Sequence, residues 1–237
     1  MLFSKHLNLK FPISQGRVFA WLVVSIVFGF LAFIIFYPYS TKIETFNNDG
    51  ILILTTEYKN SPEDRIETYF RNDGTIERSL EFKKGKQDGN ETYFFPNGDL
   101  KAKIPYKNGE KSGLMETWHP NGKYAGFAHF ELGHHVKTSK AWFPDGTLRA
   151  EASFANFKQT GLETQYYKNG LKKIEGNFKD GLLNGIEKRW YENGRLMAVL
   201  FYEEGVITEV KGLWDESGVE LNNLDKDKFL GDRSFVH

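Results

Sequence analysis

The sequence predicts an all-β protein: an elongated single-layer antiparallel β-meander of tandem 24-residue hairpin repeats, preceded by one transmembrane α-helix. Three observations predict it. Glycine recurs every 24 residues, at Gly50, Gly74, Gly98, Gly122, Gly146, Gly170, Gly194 and Gly218. Four residues before each stands an aromatic: Phe46, Phe70, Phe94, Trp118, Trp142, Tyr166, Trp190 and Trp214. Upstream of the array, residues 18–37 form an uninterrupted uncharged stretch.

That stretch runs from Val18 to Tyr37 with no charge and no strong helix breaker. Twenty residues at ~1.5 Å rise span roughly 30 Å, the thickness of a bilayer core. A soluble helix is rarely apolar on every face for so long. A cleaved signal peptide needs small residues before the cut, and Phe36, Tyr37 and Pro38 stand there instead. Residues 1–17 hold Lys5, Lys10 and Arg17 and no acid. The positive-inside rule therefore places this cytoplasmic N-terminal segment inside and the repeats outside, as in a single-pass protein of a bacterial inner membrane.

Composition narrows the functions. Lys+Arg and Asp+Glu are equal at 31 each. Setting aside the three N-terminal cations leaves 28 against 31, a net of −3, with no basic stripe for nucleic acid. Cysteine is absent, which excludes disulfides, thiolate metal sites and thiol catalysis. No nucleophile elbow or phosphate loop occurs, and no cofactor is implied. Glu67, Glu91, Glu163 and Glu187 recur in register, the mark of scaffold rather than of a single catalytic site.

Turn chemistry explains the glycines. Pairs such as Pro96-Asn97 and Pro144-Asp145 precede them. Proline then Asn or Asp fits a type I turn, and glycine supplies the left-handed residue closing a three-residue hairpin loop. That loop pairs Phe94 with Leu100, Phe70 with Ile76, Trp142 with Leu148 and Trp190 with Leu196. It is also expected to set Glu91 opposite Lys103. The strand after each turn alternates, with Ala102, Ile104 and Tyr106 on one face and Lys101 and Lys103 on the other. A second turn, often with paired glycines such as Gly109 and Gly113, leads to the next hairpin. The repeat domain is read as residues 42–220, and residues 221–237, with Leu221, Leu224, Phe229, Leu230 and Phe235, as a C-terminal capping tail.

The units Gly89 to Gly98 with Tyr106 to Gly109, and Gly185 to Leu196, resemble the MORN-type repeat in the bacterial variant of the YwqK-like antitoxin family. The resemblance covers about residues 42–220. It implies an elongated sheet used for protein–protein contact, and a partner that is a toxin to be neutralised. The expected function is a membrane-anchored repeat scaffold binding a protein partner. The alternative is a cell-envelope accessory module whose aromatics bind a carbohydrate polymer.

Candidate partner-binding residues fall into three groups. Tyr93, Phe95, Phe143, Tyr167 and Tyr191 lie opposite the main aromatic face or at its turn end. Phe127, His129, His134 and His135 belong to irregular central units. Met197, Val199 and Phe201 place apolar side chains where the alternation calls for polar ones. No acidic partner recurs with the histidines at ligand spacing, so they are read as contact residues rather than metal ligands.

Overall fold

A computed structural model describes residues 41–59 and 61–221. The expected N-terminal segment, the membrane helix over residues 18–37 and the tail beyond Leu221 lie outside the described residues. Among those described there is no helix.

The strands are β1 (Thr41–Phe46), β2 (Leu52–Tyr58), β3 (Arg65–Phe70), β4 (Ile76–Lys83), β5 (Lys86–Phe94), β6 (Leu100–Lys107), β7 (Glu110–Lys111), β8 (Gly113–Trp118), β9 (Tyr124–Glu131), β10 (His134–Trp142), β11 (Leu148–Ala155), β12 (Lys158–Tyr166), β13 (Lys172–Lys179), β14 (Leu182–Trp190), β15 (Leu196–Glu203) and β16 (Val206–Leu213). They form one antiparallel sheet in chain order, each strand beside its sequence neighbours. β7 and β8 are one strand interrupted opposite Pro105, which has no N–H to give the ladder; Ser112 N–H still reaches the Pro105 carbonyl at 2.9 Å.

The first turn follows the predicted chemistry. Phe95 N–H donates to Asp99 O at 2.8 Å, and Gly98 N–H to Phe95 O at 2.9 Å. Asn97 Oδ1 accepts from Asp99 N–H at 3.1 Å. Gly98 sits at φ +87, a left-handed conformation that a side chain would strain. The expected pairs Phe94–Leu100, Phe70–Ile76, Trp142–Leu148 and Trp190–Leu196 all form.

One expectation is corrected. Glu91 stands opposite Ile104, and Thr92 opposite Lys103. The cause is a register shift just past the turn: Phe94 pairs Leu100, but Tyr93 pairs Ala102, leaving Lys101 as an extra residue. The same shift recurs in every hairpin, at Ile53, Glu77, Ala125, Arg149, Lys173 and Met197. It brings the recurring glutamates and Tyr93 onto the face of Ala102, Ile104 and Tyr106. We call this the glutamate face.

A single-layer sheet has no second layer to cover it, so side chains must pack along it. The glutamates organise that packing. Glu67 accepts from Arg65 Nε at 2.7 Å and from the Tyr69 hydroxyl at 3.0 Å. Glu91 is buried and accepts from the Tyr93 hydroxyl at 2.6 Å and Gln87 at 3.4 Å. Glu163 accepts from Gln159 at 2.5 Å and Gln165 at 2.8 Å. Glu187, also buried, accepts from Arg189 Nε at 2.6 Å. Among the described residues no buried side-chain polar atom lacks a partner, as burial of carboxylates demands. The apolar core is concentrated at the C-terminal end, where Ala198, Leu200, Tyr202 and Leu213 are buried and Leu183, Met197, Ile207, Val210 and Leu221 pack on them.

Candidate functional site

The glutamate face is interrupted in the middle of the sheet. At the positions of Glu91 and Tyr93, the next two repeats carry Met115 and Thr117, then Ser139 and Ala141. Their strand partners shrink too. Thr117 faces Gly126, Ala141 faces Gly126 and Ala150, and Ser139 faces Ala152. With the long side chains gone from β8, β9, β10 and β11, a groove of about 290 Å³ opens over them, its lining including Met115, Ala128, Ser139 and Ala150. Gly126 keeps its floor low: a Cβ there would meet the Lys140 backbone oxygen at 2.8 Å.

Farther along the same face, beyond the groove's lining, lies an aromatic and cationic cluster. The His135 ring lies between Phe130, 4.3 Å away, and Phe154, 4.9 Å away. Lys111 Nζ stands 5.2 Å from the Phe130 ring centre. Partial burial and the nearby Lys111 charge hold the His135 imidazole below its usual range, favouring the neutral ring. No glutamate or aspartate occupies a glutamate-face position on β8, β9, β10 or β11, as their registers with β6 and one another show.

The opposite face of the same strands bears an aromatic cluster. Trp118 and Tyr124 lie 5.7 Å apart, Tyr124 and Trp142 5.5 Å, and Phe127 and Trp142 5.9 Å. Tyr124 donates to Glu116 at 3.1 Å; burial first, and that carboxylate second, push its phenol up to about 12. Phe127 and His129 meet edge to face at 5.7 Å.

The predicted site residues therefore divide. Phe127 is among the groove's lining residues and His129 meets it edge to face; His135 lies beyond the lining, between Phe130 and Phe154, while His134, exposed, lies against Phe157 at 5.0 Å. Tyr93 belongs to the glutamate network. Tyr167 and Tyr191 donate to the Trp190 and Trp214 carbonyls at 2.7 and 2.9 Å, joining successive hairpins. His119 Nε2 makes the equivalent contact with Trp142 O at 2.9 Å. Phe95 and Phe143 occupy the same register position without a hydroxyl to give, and both are half-buried at the turn edge. Met197 is the extra residue of its hairpin and packs on the C-terminal core. Val199 and Phe201 lie opposite the glutamate face, Phe201 beneath Lys211 at 5.3 Å. Among the described residues no group of three or more His, Asp or Glu could hold a metal ion.

Phe157 was not anticipated from the sequence. It occupies the position of Gly85, Gly109, Gly133, Gly181 and Gly205, in the left-handed conformation at φ 64, and is 47% exposed. The signal was available: it is the one departure from glycine in that 24-residue series between Gly85 and Gly205.

The MORN repeat variant family matches the chain at residues 87–108, 159–180 and 183–204. Each matched segment is one hairpin of the sheet, and together they contain Glu91, Glu163 and Glu187. The chain thus carries MORN-type repeats. Comparison with curated proteins gives no match.

Proposed function

We propose that this MORN-type repeat chain is a scaffold that binds a protein partner through the groove over β8 to β11, while residues 18–37 hold it at a membrane. The single observation that carries the reading is the interruption of the glutamate face. Repeats on both sides fill that face with hydrogen-bonded side chains, and two consecutive repeats leave it open. An open, largely apolar recess, with an aromatic and cationic cluster farther along the same face, suits a protruding loop of a folded partner. The aromatic cluster behind it is a poor sugar platform, because Trp118 and Tyr124 cross at 78° and present no common plane. The toxin-neutralising version of this reading rests on the repeat likeness alone, and the membrane attachment on the apolar length of residues 18–37.

The test is to rebuild the glutamate face in the full chain. Met115→Glu with Thr117→Tyr, and Ser139→Glu with Ala141→Gln, restore the side chains of neighbouring repeats. The chain is expected to keep its sheet, seen by circular dichroism, and to lose the partner it captures from its native envelope. Unchanged capture by the rebuilt chain excludes the groove. Co-expression with the product of each adjacent gene tests neutralisation, and resistance to alkaline extraction tests the anchor.

A further inference from the structure

The two ends of the sheet are finished differently. At the C-terminal end β16 pairs β15 through two register shifts, and the chain then turns back so that Trp214 bridges Glu220 and Leu221 N–H reaches Leu213 O at 2.8 Å. The Trp214 ring lies over Gly212. Bulges and a covering turn are the devices that keep a strand edge from recruiting another chain. At the N-terminal end β1 pairs β2 on one side, and no other described strand lies on its outer side. β1 contains no proline, and Ile43 is 37% exposed.

The sequence of that edge is self-complementary. Thr41-Lys42-Ile43-Glu44-Thr45 turned end for end gives Thr-Glu-Ile-Lys-Thr. Two copies paired antiparallel about Ile43 would set Thr41 against Thr45, Lys42 against Glu44 and Ile43 against itself. The register is selective. A two-fold axis keeps each residue on its own face, so the pairing can slip only by steps that preserve faces. The neighbouring slips oppose Lys42 with Lys42 or Glu44 with Glu44, which like-charge repulsion disfavours. In the single chain Lys42 and Glu44 lie on one face, Nζ to Oε1 at 3.2 Å, positioned to exchange partners across such an axis.

We propose that β1 is a homotypic interface: two copies of this chain join edge to edge through β1, centred on Ile43, and continue one sheet into the next. This goes beyond the partner-binding reading and does not depend on it, because β1 lies far from the groove strands in the order of the sheet.

The absence of cysteine makes the test direct. Single variants of the full chain, Ile43→Cys, Glu44→Cys and Val219→Cys, are oxidised under mild conditions. Ile43→Cys is expected to form a disulfide-linked dimer at least about tenfold faster than Val219→Cys, because the axis holds the two thiols at high effective concentration. Glu44→Cys alone should lag, and a mixture of Lys42→Cys with Glu44→Cys should cross-link between the two chains. In a second arm Glu44→Lys and Lys42→Glu, each monomeric alone by light scattering, should form a mixed dimer when combined. A monomeric wild-type chain, or Ile43→Cys cross-linking no faster than Val219→Cys, overturns the proposal. A failed partner capture leaves this outcome untouched.

Discussion

The Tyr191 hydroxyl donates to the backbone carbonyl of Trp214 at 2.9 Å and so ties one hairpin to the next. The position after the turn-end aromatic repeats the device in three other repeats: Arg71 to Phe94 O at 2.5 Å, His119 to Trp142 O at 2.9 Å, and Tyr167 to Trp190 O at 2.7 Å. In a repeat protein, stability is a sum of units and their interfaces, so these bonds act on the interface term. Tyr167→Phe and Tyr191→Phe are each expected to cost about 1 kcal/mol, the net worth of one partly buried hydrogen bond. Phe95→Tyr and Phe143→Tyr supply the missing donors and should raise the urea midpoint. Phenylalanine variants as stable as wild type would show that the hydroxyls contribute nothing.

Glu187 and Arg189 carry a larger share. Glu187 is 4% exposed, and Arg189 Nε stands 2.6 Å from its carboxylate. Removing the cation leaves a desolvated charge, so Arg189→Ala should destabilise the C-terminal repeats by about 3 kcal/mol. Replacing both partners, as Glu187→Leu with Arg189→Met, removes the desolvation cost along with the attraction. The double variant should recover most of the loss in a denaturant melt. If it is as unstable as Arg189→Ala alone, the packing of the pair and not its charge is what matters.

Phenols on this sheet make stability fall at alkaline pH. Tyr106 and Tyr124 are both pushed up to about 12, chiefly by burial and then by Glu91 and Glu116 respectively. The native state therefore keeps these protons to higher pH than the unfolded chain, whose phenols titrate near ~10. Their contribution is complete below about pH 10 and is lost as the pH rises through about 12. Denaturant midpoints should be level to about pH 9 and fall beyond about pH 10.5. Tyr106→Phe and Tyr124→Phe should each flatten that fall, and an unchanged slope in both would assign it to other groups.

The hairpins were legible because their cause is local. A left-handed residue needs glycine, and a three-residue loop fixes the pairs nearest to it, so Gly98 and the Phe94–Leu100 pair follow from residue types alone. The register shift one step later was not legible. Its extra residues are Ile53, Glu77, Lys101, Ala125, Arg149, Lys173 and Met197, which share no property. A bulge of this kind needs no special side chain, and missing it moved Glu91 and Tyr93 to the wrong face. The groove was half legible. The loss of glutamate at Met115 and Ser139 can be read in register, but its meaning depends on the face those positions occupy, which the bulge decides.

Phe157 links strain to the candidate surface. A non-glycine residue in the left-handed region costs about 1 kcal/mol, and the same turn elsewhere uses glycine. The ring gains little burial in return and is left stacked on exposed His134. Strain retained on an exposed aromatic is expected where a surface serves binding more than folding. Phe157→Gly should therefore stabilise the sheet by up to about 1 kcal/mol, while Gly181→Phe, its counterpart in a regular repeat, should cost about as much. Paired urea melts measure both. On the partner-binding reading Phe157→Gly should also weaken capture, because it removes an exposed aromatic from the central turns. A Phe157→Gly chain that melts earlier than wild type would show instead that the Phe157–His134 stack contributes more than the strained backbone costs.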